Sequence, residues 1–210
     1  KMLEIARGLL LEPKRMRINF GLDAIGVLAV RGSFPAPWQE AERRLCETVR
    51  ALTHNGFVGP FIVCDLRPFS EAGASEAQEL GVALAAGVAY ARALEAGGIT
   101  VTDAFRVLSW TLAVDADQLM GLAKLRALRR LWARVEAAAG APGRPITIHA
   151  ETAWRMLTKR DPAVNMLRAT TAVFAAGAGG APRPSALPAS RPRALPCELR
   201  SAVSRKRVCG

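Results

Sequence analysis

The sequence lacks most of the short motifs by which enzymes are recognised. Its 210 residues contain no Gly-x-Gly-x-x-Gly, no phosphate-binding loop, no nucleophile elbow and no His-Glu-x-x-His. Histidine occurs only twice, at positions 54 and 149. Dinucleotide binding, P-loop phosphoryl transfer, serine hydrolysis and zinc-dependent proteolysis are therefore not indicated.

Cysteine and long apolar runs are also scarce. The four cysteines, at positions 46, 64, 197 and 209, form no Cys-x-x-Cys pair and have no histidine at metal-ligand spacing. We therefore expect neither a metal site nor a disulfide framework, and a cytoplasmic location. The longest uncharged apolar run, residues 80–91, is well short of the roughly 20 residues of a membrane helix, so we expect no membrane association.

The ends of the chain differ from its middle. Residue 1 is Lys and no signal-peptide pattern follows it, so we expect a fragment or a processed chain. Residues 181–210 hold seven of the basic residues that give the formal charge of +11, against one acidic residue, and five of the thirteen prolines. This composition predicts a disordered basic tail. A nucleic-acid-binding function rests on the tail alone, and we do not expect a nucleic-acid partner.

Strand-then-helix units repeat between the two ends. Apolar strands are predicted at 18–22, 61–65, 105–114 and 146–148, the first followed by a turn at 23–26. Helices are predicted from Trp38 to His54, from a capping box at Ser75 and Gln78, after Asp115, and from the start signal Asp161-Pro162. Four such units are typical of a parallel sheet, and amount to half of an eight-unit barrel of about 250 residues. We predict an α/β fold, with a partial (β/α)8 TIM barrel over residues 1–180 and a disordered Arg/Pro-rich tail over 181–210.

Polar residues near the predicted strand ends are the candidates for catalytic or binding residues. His149 stands with Glu151 and Thr152 in a polar loop after a strand, where barrel enzymes keep acid-base groups, so a role facing the site and a plain structural role both remain open. Arg67 and Glu71 follow another strand, and either line the same mouth or pair with each other. Asp115 and Asp117 are spaced either as a carboxylate pair or, as we expect, as helix caps.

Four stretches carry a family resemblance. Residues 123–133 (AKLRALRRLWA), 149–152 (HAET) and 161–171 (DPAVNMLRATT) together resemble methylmalonyl-CoA mutase in content, order and spacing. Residues 67–80 (RPFSEAGASEAQEL) resemble the small, or beta, subunit of that family more than the large one. The resemblance covers about residues 16–180, and implies part of the family's TIM-barrel domain.

The resemblance implies a subunit without catalytic residues of its own. In the family's large chain a Tyr-His pair precedes the Glu-Ala-Gly at the barrel mouth, and Arg67 and Pro68 occupy those positions here. The Asp-x-His-x-x-Gly signature of the family's cobalamin domain does not occur. The resemblance therefore implies a heterodimer in which the large subunit binds adenosylcobalamin and interconverts methylmalonyl-CoA and succinyl-CoA. The alternative is a fragment of a catalytic acyl-CoA mutase chain.

The sequence departs from the family pattern at two places, in the expected substrate pocket and after residue 180. The resemblance implies a relic substrate pocket, crowded by Trp154 in place of a glycine, and we expect it to include Arg67, Ser109, His149, Glu151 and Thr152. After residue 180 the family continues into a strand of the type Asp-Ala-Ile-x-Val-Leu-Pro, whereas here Ala181 leads into Pro182-Arg183-Pro184. We hypothesise a reading-frame shift in a GC-rich gene near codon 181, which sequencing of the coding DNA would check.

Overall fold

The computed structural model describes residues 12–13, 18–33, 36–141 and 143–187. Over these ranges the chain alternates helices and short strands. The helices are α1 (Ala24–Arg31), α2 (Trp38–His54), α3 (Arg67–Glu71), α4 (Glu76–Ala96), α5 (Val101–Arg106), α6 (Gln118–Ala138) and α7 (Pro162–Ala178), and the strands are β1 (Ile62–Asp65), β2 (Leu108–Val114), β3 (Thr147–Thr152) and β4 (Arg183–Ser185). None of the helices in these ranges is long and apolar enough to cross a membrane.

The four strands form one parallel sheet in the order β1-β2-β3-β4. β3 and β4 pair in parallel with His149 opposite Arg183 and Glu151 opposite Ser185. At least one helix joins each strand to the next, as a parallel connection requires. The predicted α/β class and the parallel sheet are confirmed.

The helices begin where local signals satisfy their first amide groups. The Ser75 amide donates to Gln78 Oε1 at 2.9 Å and the Gln78 amide donates to Ser75 Oγ at 3.4 Å, which closes the capping box ahead of α4. Asp161 Oδ1 accepts from the Ala163 amide at 2.9 Å, and Pro162 is the first residue of α7. Both predicted start signals are confirmed, as is the helix from Trp38 to His54.

The chain divides into two compact units, of which the first comprises residues 1–64, 85–109 and 136–143. Its core includes Phe61, Ile62 and Tyr90, each at most 1% exposed. The Tyr90 hydroxyl donates to Asp23 Oδ1 at 2.5 Å and accepts from the Ile25 amide at 2.8 Å. Burial, with the charge of Asp23 beside it, raises the pKa of Tyr90, so the hydroxyl keeps its proton and holds the start of α1.

The second unit comprises residues 65–84, 110–135 and 144–210. Trp110 and Trp132 are both fully buried there, with ring centroids 4.6 Å apart, and the Trp110 indole donates to the Ala83 carbonyl at 3.2 Å. In the same unit α7 packs against β3 and β4. Four alanines of α7 are fully buried: Ala169, Ala172, Ala175 and Ala176. Small side chains of this kind allow a helix to lie close to its neighbours, because they have no atoms beyond Cβ.

Two predicted strands differ from the observed ones. Residues 18–22 contribute a single parallel bridge, from Leu22 to Ile62, and the predicted turn after them is the start of α1, because Asp23 caps the Gly26 amide. The strand predicted at 105–114 begins only at Leu108. The residues before it form α5, whose first turn is capped by the side chain of Thr100.

The ordered fold continues beyond residue 180, where we expected the disordered tail to begin. β4 pairs with β3, and the Leu187 amide donates to Thr152 Oγ1 at 2.7 Å. Ala181, Ala186 and Leu187 are buried. Residues 181–187 therefore belong to the folded part of the chain, although the composition averaged over residues 181–210 predicts disorder. The remainder of the predicted tail, residues 188–210, lies outside the described residues.

Candidate functional site

Arg67 lies in an ion cluster at the carboxyl end of β1. The strand ends at Asp65, and Arg67 opens α3. Nε and Nη2 of Arg67 donate to the two carboxylate oxygens of Asp65 at 2.9 and 2.6 Å, while Nη1 donates to Glu151 Oε1 at 2.9 Å. The hydrogen bonds to Asp65, and then those to Glu151, raise the pKa of Arg67, so the guanidinium stays charged.

The two faces of β3 separate the residues that we expected to share a pocket. Exposure alternates along the strand, with His149 and Glu151 partly exposed and Ile148, Ala150 and Thr152 buried. Because alternate side chains of a strand point to opposite faces, His149 shares its face with Glu151 while Thr152 lies on the other. His149 lies within β3, not in a loop after it as predicted, and Thr152 Oγ1 accepts from the Leu187 amide.

Ser109 belongs to the first unit. Its side chain is buried, and its hydroxyl donates to the Ile62 carbonyl and accepts from Asn19 Nδ2, both at 2.8 Å. These contacts tie β2 to β1 and to the segment before α1. Among the five expected pocket residues, Arg67 and Glu151 are in direct contact with each other.

A short 3₁₀ helix, Trp154–Met156, follows β3 and is tied to the region of α3. The Trp154 amide donates to Glu71 Oε1 at 2.8 Å, so the described partner of Glu71 is this amide and not Arg67. Nη1 of Arg155 donates to the carbonyls of Ser70 and Ala74 at 2.9 and 3.3 Å. Sequence reasoning missed Arg155, because no motif marks it and the carbonyls to which it donates lie more than 80 positions away.

Of the two carboxylates after β2, Asp117 caps the next helix as expected, whereas Asp115 does not cap it. Asp117 Oδ1 accepts from the Met120 amide at 3.0 Å in the first turn of α6, and Asp115 Oδ1 accepts from the Asp117 amide at 2.9 Å. Asp115 Oδ2 also lies 3.9 Å from Nη2 of Arg155, so the two carboxylates interact with backbone amides and an arginine rather than as a paired acid and base. Over the part of the chain that the structure describes, no group of three or more His, Cys, Asp or Glu residues could hold a metal ion.

A cavity of about 620 Å³ lies in the first unit, at the amino ends of β1 and β2. Its wall is largely apolar and includes Phe57, Phe61, Ile99 and Val107, and none of the expected pocket residues lines it. Active sites of parallel α/β folds lie at the carboxyl ends of the strands. We therefore do not interpret this cavity as the functional site.

Asn165 fixes the loop before α7. It is fully buried, its Oδ1 accepts from the Thr158 amide and its Nδ2 donates to the Thr158 carbonyl, both at 2.8 Å. Asn165→Ala should lower the free energy of unfolding by about 1–3 kcal/mol, because it leaves the partly buried amide and carbonyl of Thr158 without these partners. Thr170→Ala, at an exposed position of α7, is the control and should change it by less than about 0.5 kcal/mol. Equal losses in urea unfolding of the two variants would contradict the role given to Asn165.

Comparison with known families shows which protein family the chain belongs to. A family model described as methylmalonyl-CoA mutase matches residues 4–207. The chain belongs to the methylmalonyl-CoA mutase family. The match passes residue 180, where we expected the family pattern to end, and so agrees with the position of β4 in the sheet.

Several similar proteins within the methylmalonyl-CoA mutase family are named as small subunits. The chain is 47% identical over 199 residues to the methylmalonyl-CoA mutase small subunit of Streptomyces virginiae, covering 90% of this chain and 30% of the relative. It is 53% identical over 121 residues to the probable small subunit of Mycobacterium tuberculosis (57% and 20%), and 35% identical over 190 residues to that of Propionibacterium freudenreichii subsp. shermanii (87% and 28%). The chain thus spans less than a third of the length of these relatives.

Proposed function

We propose that the chain is part of the small subunit of an adenosylcobalamin-dependent methylmalonyl-CoA mutase. In this role it supports the large subunit, which interconverts methylmalonyl-CoA and succinyl-CoA, and the two chains form a heterodimer. The observation that carries the proposal is the 47% identity, over 90% of this chain, to a protein named as a small subunit. We further propose that the four strands belong to a (β/α)8 barrel and that the protein is cytoplasmic, where buried Cys46 and Cys64 remain as free thiols.

The geometry at the carboxyl end of β1 supports a structural role for this chain. Arg67 and Pro68 stand where the resemblance implies a Tyr-His pair in the catalytic large chain. Arg67 is held by Asp65 and Glu151, and Pro68 in the first turn of α3 has no acid-base group. With these partners the cluster ties the start of α3 to β3.

The residues present do not fit the cofactor of the family. The sequence has no Asp-x-His-x-x-Gly, and the described residues contain no cluster of metal-ligating side chains. On the basis of the family resemblance, we propose that adenosylcobalamin is bound by the large subunit. No step of the reaction is assigned to residues of this chain.

Co-expression with the large subunit of the same organism tests this proposal. We expect the tagged chain to co-purify with the large subunit, or to raise its thermal unfolding temperature, and to show no conversion of methylmalonyl-CoA by itself in the presence of adenosylcobalamin. The large subunit purified without this chain is the matched control. Conversion by the isolated chain would favour the catalytic alternative. Failure to bind or stabilise the large subunit would show that the subunit role is wrong.

A further inference from the structure

The exposed side of α6 in the second unit carries only positive charge. Between residues 119 and 134, six exposed positions lie within about a third of the helix circumference. They are one leucine, two alanines and three arginines: Leu119, Ala123, Arg126, Arg130, Ala133 and Arg134. The one acidic residue of the helix, Glu136, is buried. We call the six exposed residues the α6 face.

The three arginines of the α6 face contribute little to the contacts of the fold. Arg129, which lies beside them in sequence, differs in this respect, since it donates to the Gly179 carbonyl at 2.7 Å. Arg126 reaches one backbone carbonyl, at the long distance of 3.4 Å. Arg130 and Arg134 form no ion pair within the part of the chain that the structure describes. Packing within this chain therefore does not account for the three positive charges.

The spacing of these arginines places like charges next to each other. They follow one another at intervals of four residues, and like charges at this spacing destabilise a helix. The exposed side of α2 is built differently, because Arg43 pairs there with Glu40 at 2.8 Å and with Glu47 at 2.9 Å. A negatively charged partner along the α6 face would remove the repulsion that this chain leaves uncompensated.

The shape of the α6 face suits a second helix. Ala123 and Ala133 have no atoms beyond Cβ, so another backbone can approach between the arginines. The arginines extend over about 12 Å of α6, and carboxylates at three- or four-residue spacing on a facing helix recur at the same interval. Leu119, at the beginning of the face, is 75% exposed and offers an apolar contact. A phosphate backbone would use the arginines but not this leucine, so the face favours a protein partner.

We propose that the α6 face binds an acidic amphipathic helix of the large subunit. The proposal rests on the small-subunit function proposed above and names the surface through which that function is exerted. Carboxylates of the partner helix pair with Arg126, Arg130 and Arg134, and an apolar side chain of the same helix contacts Leu119. Guanidinium groups bind carboxylates through two parallel hydrogen bonds, which fixes the orientation of the partner as well as its charge.

Reversing the central charge of the face tests the proposal. We expect Arg130→Glu in the full 210-residue chain to raise the Kd for the purified large subunit at least about tenfold, as measured by biolayer interferometry. The unfolding temperature of the chain itself should stay the same or rise, because the glutamate lies four residues from both Arg126 and Arg134. The matched control is Arg92→Glu, the same charge change at an exposed position of α4, and should change the Kd by less than about twofold.

The outcomes of this measurement separate the proposal from the function on which it rests. Unchanged binding by Arg130→Glu overturns the proposal alone, whereas no binding by the unmodified chain overturns the subunit role as well. Weaker binding together with a lowered unfolding temperature also overturns the proposal, because the loss then comes from the fold. A single-stranded oligonucleotide that displaces the large subunit and binds through Arg130 would show that nucleic acid occupies the face, and would overturn it too.

Cross-linking identifies the chemistry of the partner directly. Arg130→Lys keeps the positive charge and supplies a primary amine, which a water-soluble carbodiimide joins to a carboxylate in contact with it. In the complex with the large subunit, we expect position 130 to be linked to an Asp or Glu that has further acidic residues three or four positions away. Arg92→Lys is the control and should give a several-fold lower yield. Equal yields at the two positions, no link at position 130, or a link to a second copy of this chain would each overturn the proposal.

Discussion

Replacing Lys124 with methionine should lower the free energy of unfolding by about 3–5 kcal/mol at neutral pH, because it leaves a buried carboxylate without its counter-charge. Lys124 and Glu79 have side chains only 4 and 1% exposed, and Nζ lies 2.7 Å from Glu79 Oε2. Lys124 also donates to the Ala113 carbonyl at 2.6 Å, and Glu79 accepts from the Ala113 amide at 3.2 Å. The pair thus links α4 and α6 to the backbone of β2.

The control for this prediction is the double variant Lys124→Met with Glu79→Gln. The glutamine keeps an acceptor for the Ala113 amide but carries no charge, so the double variant should be more stable than Lys124→Met alone. Urea unfolding at pH 7 measures both. A double variant that is no more stable than the single one would contradict the assignment of the loss to an unpaired charge.

The loss in Lys124→Met should depend on pH. Burial raises the pKa of Glu79 above its ordinary value of 4.5, while Lys124 opposes that rise. A raised pKa means that the folded state binds the proton more tightly than the unfolded chain. The stability that this tighter proton binding contributes is fully present below about pH 4.5 and is lost as pH rises through the raised pKa. Without Lys124 the pKa rises further, so the deficit of the variant relative to the native chain should be small in acid and grow towards neutral pH. A stability deficit that stays constant from pH 4 to 7 would contradict the assignment of the loss to the charge of Glu79.

Trp110→Ala should cost about 3–5 kcal/mol of the free energy of unfolding, the second of the two largest effects. Trp110 is fully buried against Trp132, and its indole donates to the Ala83 carbonyl. The substitution opens a cavity between β2 and α6 and leaves that carbonyl without its donor. Thermal unfolding, followed by circular dichroism, measures the change.

Trp154→Ala is the matched control, since the same side chain is removed from a position that is 39% exposed. Its contact with Glu71 is made by the backbone amide and survives the substitution. We expect a loss below about 1 kcal/mol. Similar unfolding temperatures for the two variants would show that the packing of Trp110 against Trp132 contributes little to the stability of the fold.

Local features of this fold could be predicted because their causes lie within a few residues. The capping box of Ser75 with Gln78 and the start of α7 at Asp161 depend only on side chains that reach a neighbouring turn. The same reasoning identified Asp117 as a cap. Sequence spacing is sufficient for each of these, because no other part of the chain is involved.

The contacts of the site could not be predicted in the same way. Arg67 and Glu151 are 84 positions apart, and Glu79 and Lys124 are 45 apart, so each contact exists only once distant elements have packed together. The expected grouping of Thr152 with Glu151 did not take account of strand alternation, which sends adjacent side chains to opposite faces. β4 was missed because a three-residue strand is hidden when composition is averaged over a long tail.

The last described strand also shows how a proline is accommodated in a sheet. β4 is three residues long, its middle residue is Pro184, and Pro184 lies opposite Ala150 of β3. Because proline has no backbone N–H, Pro184 can contribute only its carbonyl to the hydrogen-bond ladder. The Leu187 amide, which donates to Thr152 Oγ1, adds a tie to β3 just after this strand. Pro184, which first suggested that the fold had ended, thus marks a position in the sheet at which a backbone donor is not required.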